Sequence, residues 1–124
     1  YRWALKPETH FGFVYLITNT VTGRAYVGKK QFYRYSKRKR VAETDWRTYT
    51  GSSKELNADI KKFGVGKFEF RILRQYKTRG HLVYGEANHQ HKMDVLTERL
   101  SDTERRYYNK QIAAIRFVPT KEDK

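Results

Sequence analysis

The apolar positions of this chain fall into short runs whose spacing changes along its length. Residues 13–17 and 25–28 are two β-type apolar runs, and each carries a tyrosine, Tyr15 and Tyr26. The connector 18–24 is rich in turn formers, so the pattern predicts a β-hairpin that shows both phenols near one sheet edge. Further on, Leu56, Ile60 and Phe63 recur at helical spacing behind Ser52-x-x-Glu55, with Gly64 as the stop. This predicts a capped amphipathic helix. Residues 67–73 then alternate polar and apolar side chains, the signature of a strand with one buried face. A second helix is predicted over 81–98, with Leu82, Glu86, His89, Met93 and Leu96 on one face. The segment from Arg105 through Asn109 to Ile115 reads as a short helix or an extended edge.

Hairpin, helix, strand, helix gives an α+β fold: a small, mostly antiparallel sheet of the hairpin plus one further strand, flanked by helices. No repeat or long linker divides the chain, so residues 1–124 are expected to form one domain. Its irregular parts would be a lead-in over 1–12, a basic loop over 31–47 and a frayed tail over 120–124.

Charge sharpens the picture. Lys and Arg number 27 against 13 Asp and Glu, a net charge of +14. An excess of that size on one small domain calls for a polyanionic partner. From Arg24 to Arg40 there are eight Lys or Arg and no acid, with Phe32, Tyr33 and Tyr35 between them. Such a stretch would grip or stack on nucleic acid. No apolar run spans a bilayer, and the basic stretch has no apolar helical face to lay on one, so a membrane partner is not expected. The chain has no cysteine, which excludes disulfides and thiolate metal sites and fits a cytoplasmic protein. His89 and His91 are two apart, which points them to different sides of a helix, and zinc is not expected.

Glu86 needs explaining, because it occupies a helix face otherwise apolar. A carboxylate withdrawn from water is costly unless a cation, a donor or a metal meets it. Two readings are open: an ion pair with a nearby Lys or Arg, or a ligand for Mg²⁺ shared with a substrate phosphate. The tyrosines also divide, between half-buried packing groups and phenols made more acidic by Lys29 and Lys30. Residues 51–53 at a helix start would serve as a simple cap or as a phosphate seat.

Phe13-Val14-Tyr15 followed by Tyr26-Val27-Gly28 resembles the paired signature of GIY-YIG nucleases. The likeness continues through residues 49–54 and 64–73, which look like segments of phage-encoded, homing-endonuclease-like members. Glu86 stands where such nucleases keep their metal-binding glutamate, and Asn109 where a late asparagine is found. The resemblance implies a GIY-YIG-like fold and a divalent-metal-dependent DNA endonuclease, using Mg²⁺ with Mn²⁺ as an alternative, in the cytoplasm of a bacterial host. It implies Glu86 as the metal ligand and Tyr15 or Tyr26 as the acceptor of the attacking water's proton. The family's arginine has no clear counterpart. Arg38 is the nearest match, with Arg34, Arg40 and Arg47 as further candidates. Lys29, Lys30, Arg47, Tyr49 and Asn109 would support the chemistry or touch phosphate, and Arg34, Lys37, Lys39 and Arg40 would bind DNA. The rival expectation is a basic nucleic-acid-binding module on the same fold that does not cleave.

Overall fold

β1 (Gly12–Asn19) is the centre of the fold, in a computed structural model that describes residues 5–121. β2 (Ala25–Gln31) pairs with it antiparallel, with Tyr15 opposite Gly28 and Ile17 opposite Tyr26. The predicted hairpin is closed by Asn19, whose Oδ1 accepts from the backbone N–H of Val21 and Thr22 at 3.0 and 3.3 Å. Such an Asx turn lets one side chain satisfy the backbone of a tight connection. Gly23, at φ 84°, supplies the left-handed residue this turn requires.

The basic segment 31–47 is not the loop expected from its charge. Tyr33–Ser36 (β3) and Lys39–Glu43 (β4) form a separate two-stranded ribbon, turned by Lys37 and Arg38. Its base is apolar. Phe32 and Trp46 are buried and meet edge-on at 5.1 Å, and Phe13 lies 5.3 Å from Phe32. Phe32, expected to grip nucleic acid, is therefore a core residue. Burying a ring of that size stabilises by about 1.5–3 kcal/mol, enough to fix the root of a ribbon that is otherwise exposed.

α1 (Lys54–Phe63) follows, one residue out of step with the predicted cap: Ser53, not Ser52, accepts from the N–H of Leu56 at 3.2 Å. Gly64, at φ 92°, stops the helix and donates its N–H to the Ile60 carbonyl. A single 3-10 turn (Val65–Lys67) leads into β5 (Phe68–Tyr76), which pairs antiparallel with β1 and gives the sheet order β2-β1-β5. α2 (Arg79–Lys92) is capped by the Thr78 hydroxyl and ends well before residue 98. Met93 and Leu96 thus leave the helical face predicted for them. Asp94 turns the chain at φ 57°, and Val95 fills the apolar position instead.

The period-2 alternation of β1 sorts its side chains onto two cores. Phe13, Tyr15 and Ile17 join Leu56, Phe68 and Tyr108 on the α1 side. Val14 meets Val27, Tyr76, Leu82, Val95 and Tyr107 on the α2 side. Residues 106–108 are the extended alternative of the two predicted for this region. Ala25 donates to the Arg106 carbonyl and accepts from the Tyr108 N–H at 2.8 and 2.7 Å, which covers the start of β2. Tyr108 donates to Asp59 at 2.6 Å and accepts from Asn19 at 3.1 Å, tying this segment to α1 and to the hairpin turn. Burial, reinforced by that carboxylate, pushes its phenol up to about 12.

Gly85 shows which local preference packing overrides. An Ala there would favour the helix by about 1 kcal/mol, but its Cβ would overlap the Tyr76 ring, and both residues are buried. Overpacking costs typically ~1–3 kcal/mol. Gly85→Ala is therefore expected to lower the urea midpoint, and a raised midpoint would contradict the packing described.

Candidate active site

Tyr15 and Tyr26 lie on the same face of the β1–β2 hairpin, with ring centroids 6.3 Å apart. Tyr15 crosses over Gly28. A Cβ on that glycine would stand 2.5 Å from the Tyr15 Oη and 2.8 Å from the Tyr26 ring. Gly51, at φ 87°, backs both rings from the other side, where a Cβ would come within 3.2 Å of each. The two glycines thus leave a slot that the phenols fill, and Tyr49 closes it edge-on at 6.2 Å from Tyr15. Tyr15 is buried within this cluster, whereas Tyr26 is partly exposed, with its hydroxyl 3.3 Å from the Ser52 Oγ.

On the edge of β2 away from β1, Val27 offers one N–H and one C=O. The Asn109 side chain takes both: its Oδ1 accepts from the N–H at 3.0 Å, and its Nδ2 donates to the carbonyl at 2.8 Å. Gln90 of α2 donates to the same carbonyl at 3.0 Å. All three groups are buried, so each unmade bond would cost the desolvation of a polar atom, ~1–3 kcal/mol. Gln90 lies four residues beyond Glu86, on the same face of α2. Anchoring Gln90 therefore anchors Glu86 beside the same strand. The outcome is a cavity of about 250 Å³ bordered by Tyr26, Lys29, Ser52, Glu86, Gln90, Asn109 and Lys110.

Electrostatics in this cavity run against one expectation. Burial raises the Glu86 carboxyl, and Lys29, whose Nζ is 3.5 Å from Oε1, pulls it back down in part. Burial likewise raises the Tyr26 phenol; the Ser52 hydroxyl opposes this, and the charge of Glu86 adds to it. Tyr49 is raised for the same leading reason. Burial is the dominant influence on both phenols, and it raises them instead of making them more acidic. Lys29 pairs with Glu86, while Lys30 pairs with Asp45 at 2.7 Å and sits over the Tyr49 ring at 3.8 Å.

The arginine candidates disperse. Arg34 borders a second cleft of about 540 Å³ together with Lys29, Lys30, Asp45 and Tyr49. Arg38, the first choice from sequence, is at the tip of the β3–β4 ribbon and does not line the Glu86 cavity. Arg40 stacks on Tyr33 at 4.3 Å and donates to the Pro7 carbonyl. Arg47 pairs with Glu43 at 3.0 Å and stacks on Trp46. Lys37 and Lys39 are exposed on the ribbon. Among the described residues no three His, Asp or Glu side chains come together as a metal cluster.

Sequence reasoning missed Gln90 and Lys110, and it offered Ser52 only as part of a cap or phosphate seat over residues 51–53, not as the hydroxyl beside Tyr26. Gln90 could have been found as the polar residue one turn after Glu86, and Lys110 only as the neighbour of Asn109.

The family described as "Putative endonuclease segE, GIY-YIG domain" matches residues 3–112. A protein of Enterobacteria phage T4 described in the same terms, as endonuclease segE, is 30% identical over 101 residues, or 80% of this chain. The chain spans only 40% of that relative's length. No solved structure matches.

The raised Glu86 carboxyl has a testable consequence. A carboxyl whose folded pKa exceeds its unfolded value holds its proton more tightly in the fold, so ionising it costs stability. The cost is complete above the raised pKa and disappears as pH falls through it to the ordinary value of 4.5. In EDTA, Glu86→Gln is expected to melt above the parent at pH 8, with the gap closing towards pH 4. A variant that melts lower at pH 8 would mean that the Lys29 pair outweighs burial.

Proposed function

We propose that this chain, which belongs to the GIY-YIG endonuclease domain family, hydrolyses a DNA phosphodiester with a divalent cation held at Glu86. The observation that carries this reading is convergence. Tyr26 and Lys29 of β2, Glu86 of α2, Ser52 before α1 and Asn109 of the late segment border one cavity. These come from four separate parts of the sequence, and packing alone gives no reason to assemble them there.

The residues present fit a hard divalent ion. Glu86 offers one partly buried carboxylate whose charge is only partly offset, and Mg²⁺ is commonly held by one or two carboxylates plus substrate phosphate. Mn²⁺ would be accepted by the same oxygen donors. Such an ion would polarise the phosphate and offset charge on the leaving oxygen. With Glu86 so engaged, the Lys29 ammonium would be free of its pair and could turn to a non-bridging phosphate oxygen.

Water attacks phosphorus, the bond from phosphorus to the leaving oxygen breaks, and a proton must leave the water. A phenol with a raised pKa is neutral at pH 7, so Tyr26 acts as a relay. It accepts the water's proton at Oη while its own passes to the Ser52 hydroxyl 3.3 Å away; Ser52 in turn gives up its proton to solvent in the cavity, and a solvent proton neutralises the leaving oxygen. Tyr15, buried over Gly28, positions Tyr26 and Tyr49. Asn109 positions β2 through Val27. Arg34, which shares a cleft with Lys29, takes the place of Arg38 as the cation facing the phosphate. Lys30 holds Tyr49 and Asp45 in that cleft, and Arg47 props the root of the ribbon. Lys37, Lys39 and Arg40 supply charge to the flanking backbone. The phage relative fits action on DNA inside a bacterial cytoplasm.

One observation favours the rival reading, a binding module without cleavage: the arginine expected from sequence is absent from the Glu86 cavity. Nicking of supercoiled plasmid separates the two. With Mg²⁺ the parent is expected to nick and with EDTA it is not. Tyr26→Phe should lose about 10²–10⁴-fold in rate, the usual worth of a positioned proton carrier. Glu86→Gln should abolish nicking while still binding DNA. A parent that binds tightly yet cuts with neither Mg²⁺ nor Mn²⁺ would establish the binding module.

A further inference from the structure

Another groove, separate from the one that holds Glu86, lies beside the basic ribbon. About 990 Å³ in volume, it runs between the tip of the β3–β4 ribbon and the start of α2. Lys37 and Arg38 border it on the ribbon side and Arg79, the first residue of α2, on the other. Phe11 and Tyr35, stacked at 5.3 Å with planes 19° apart, also line it. No carboxylate lines this groove, and none of the three cations pairs with a described Asp or Glu. Lys29, Lys30 and Arg47 differ, each being held by an acid.

The ribbon's turn adds a second, independent observation. Lys37 and Arg38 both have positive φ, 51° and 68°, the backbone of a two-residue hairpin turn. Such a turn prefers Asn-Gly, which adopts that backbone with little strain. The chain places two long cations there instead. A strained turn that ends in unpaired charge is better explained by what the charge meets than by the fold of the ribbon.

We propose that this groove seats the sugar-phosphate backbone of duplex DNA flanking the cleaved bond, with Lys37, Arg38 and Arg79 on phosphates. The proposal rests on the nuclease reading only for the word "flanking". Arg79 and Glu86 are seven positions apart on one helix, about 10 Å at 1.5 Å per residue. One DNA strand rises about 3.4 Å per nucleotide, so the seat lies within a few nucleotides of the reacting phosphate. The ribbon is then an arm that sets where along the duplex the chemistry falls, and Phe11 under Tyr35 sets the height of its tip.

The test uses Lys37→Asn with Arg38→Gly, which suits the turn better than the native pair and so keeps the fold. Binding to a 30-base-pair duplex, a length of roughly three helical turns, is measured in EDTA across a salt series. Each phosphate that the protein no longer neutralises lowers the slope of log K against log salt by about 0.9, so the double variant should lose nearly 2. Arg79→Gln should lose about 1, and the melting temperature of the double variant should equal or exceed the parent's. An unchanged slope in a folded variant overturns the proposal. A slope that falls only on single-stranded DNA also overturns it, in favour of a single-strand seat. EDTA withholds the metal, so the slope reports on the groove whether or not the chain cuts DNA. A failed plasmid assay with an intact slope effect would leave the seat standing and remove only its relation to a cleaved bond.

Discussion

The backbone of one residue organises the candidate site: the outward-facing N–H and C=O of Val27. β1 satisfies the inner edge of β2, but its outer edge would be open at this point without partners. Asn109 bonds both groups and Gln90 bonds the carbonyl again, so two segments distant in sequence are fixed to one residue of β2. Tyr26 precedes that residue and Gly28 follows it. Whatever holds Val27 therefore sets the position of Tyr26, the gap over Gly28 that Tyr15 fills, and the height of Glu86 one helical turn from Gln90. Hydrogen bonds of this kind contribute modestly when made but cost ~1–3 kcal/mol when one partner is buried and left alone. That asymmetry makes the arrangement specific.

The same cavity keeps charge under tension. Glu86 is half withdrawn from water and only partly compensated by Lys29, and its charge in turn resists ionisation of Tyr26. A fold selected for stability alone would place an apolar residue at this position, as Leu82 shows one turn earlier on α2. A second positive charge near Glu86 would relieve the carboxylate and free Lys29 together. On the proposed reading, such a cation and a substrate phosphate would enter the cavity together.

Much of the fold was legible in the sequence because it follows local rules. The hairpin has its Asx turn at Asn19, α1 has helical spacing and a glycine stop, and β5 alternates. The failures have physical reasons too. The ribbon was read as a loop because its β-forming residues Tyr33, Tyr35 and Val41 are outnumbered by charge, and its stability comes from Phe32 and Trp46 at the root. The cap of α1 was misplaced because Ser52 and Ser53 are chemically alike; only tertiary contact sends Ser52 to Tyr26. α2 was made too long because Met93 and Leu96 happen to continue its spacing, whereas the chain turns at Asp94 and buries Val95. Of the candidate site, Tyr26, Lys29, Glu86 and Asn109 were found in sequence and meet at one cavity. Arg38 lies at the tip of a ribbon inserted after the second tyrosine, away from the Glu86 cavity, and that insertion breaks any count of residues from Tyr26.

The central claim is that the Glu86 cavity binds a divalent cation against a DNA phosphate. It is tested most directly by crystals of Tyr26→Phe with uncleaved duplex DNA and Mn²⁺, read by anomalous scattering. The account predicts a manganese peak in contact with the Glu86 carboxylate and a phosphate oxygen, with Lys29 turned away from Glu86 to the DNA. A DNA complex in which manganese is bound elsewhere, or in which Lys29 still pairs with Glu86, would contradict it.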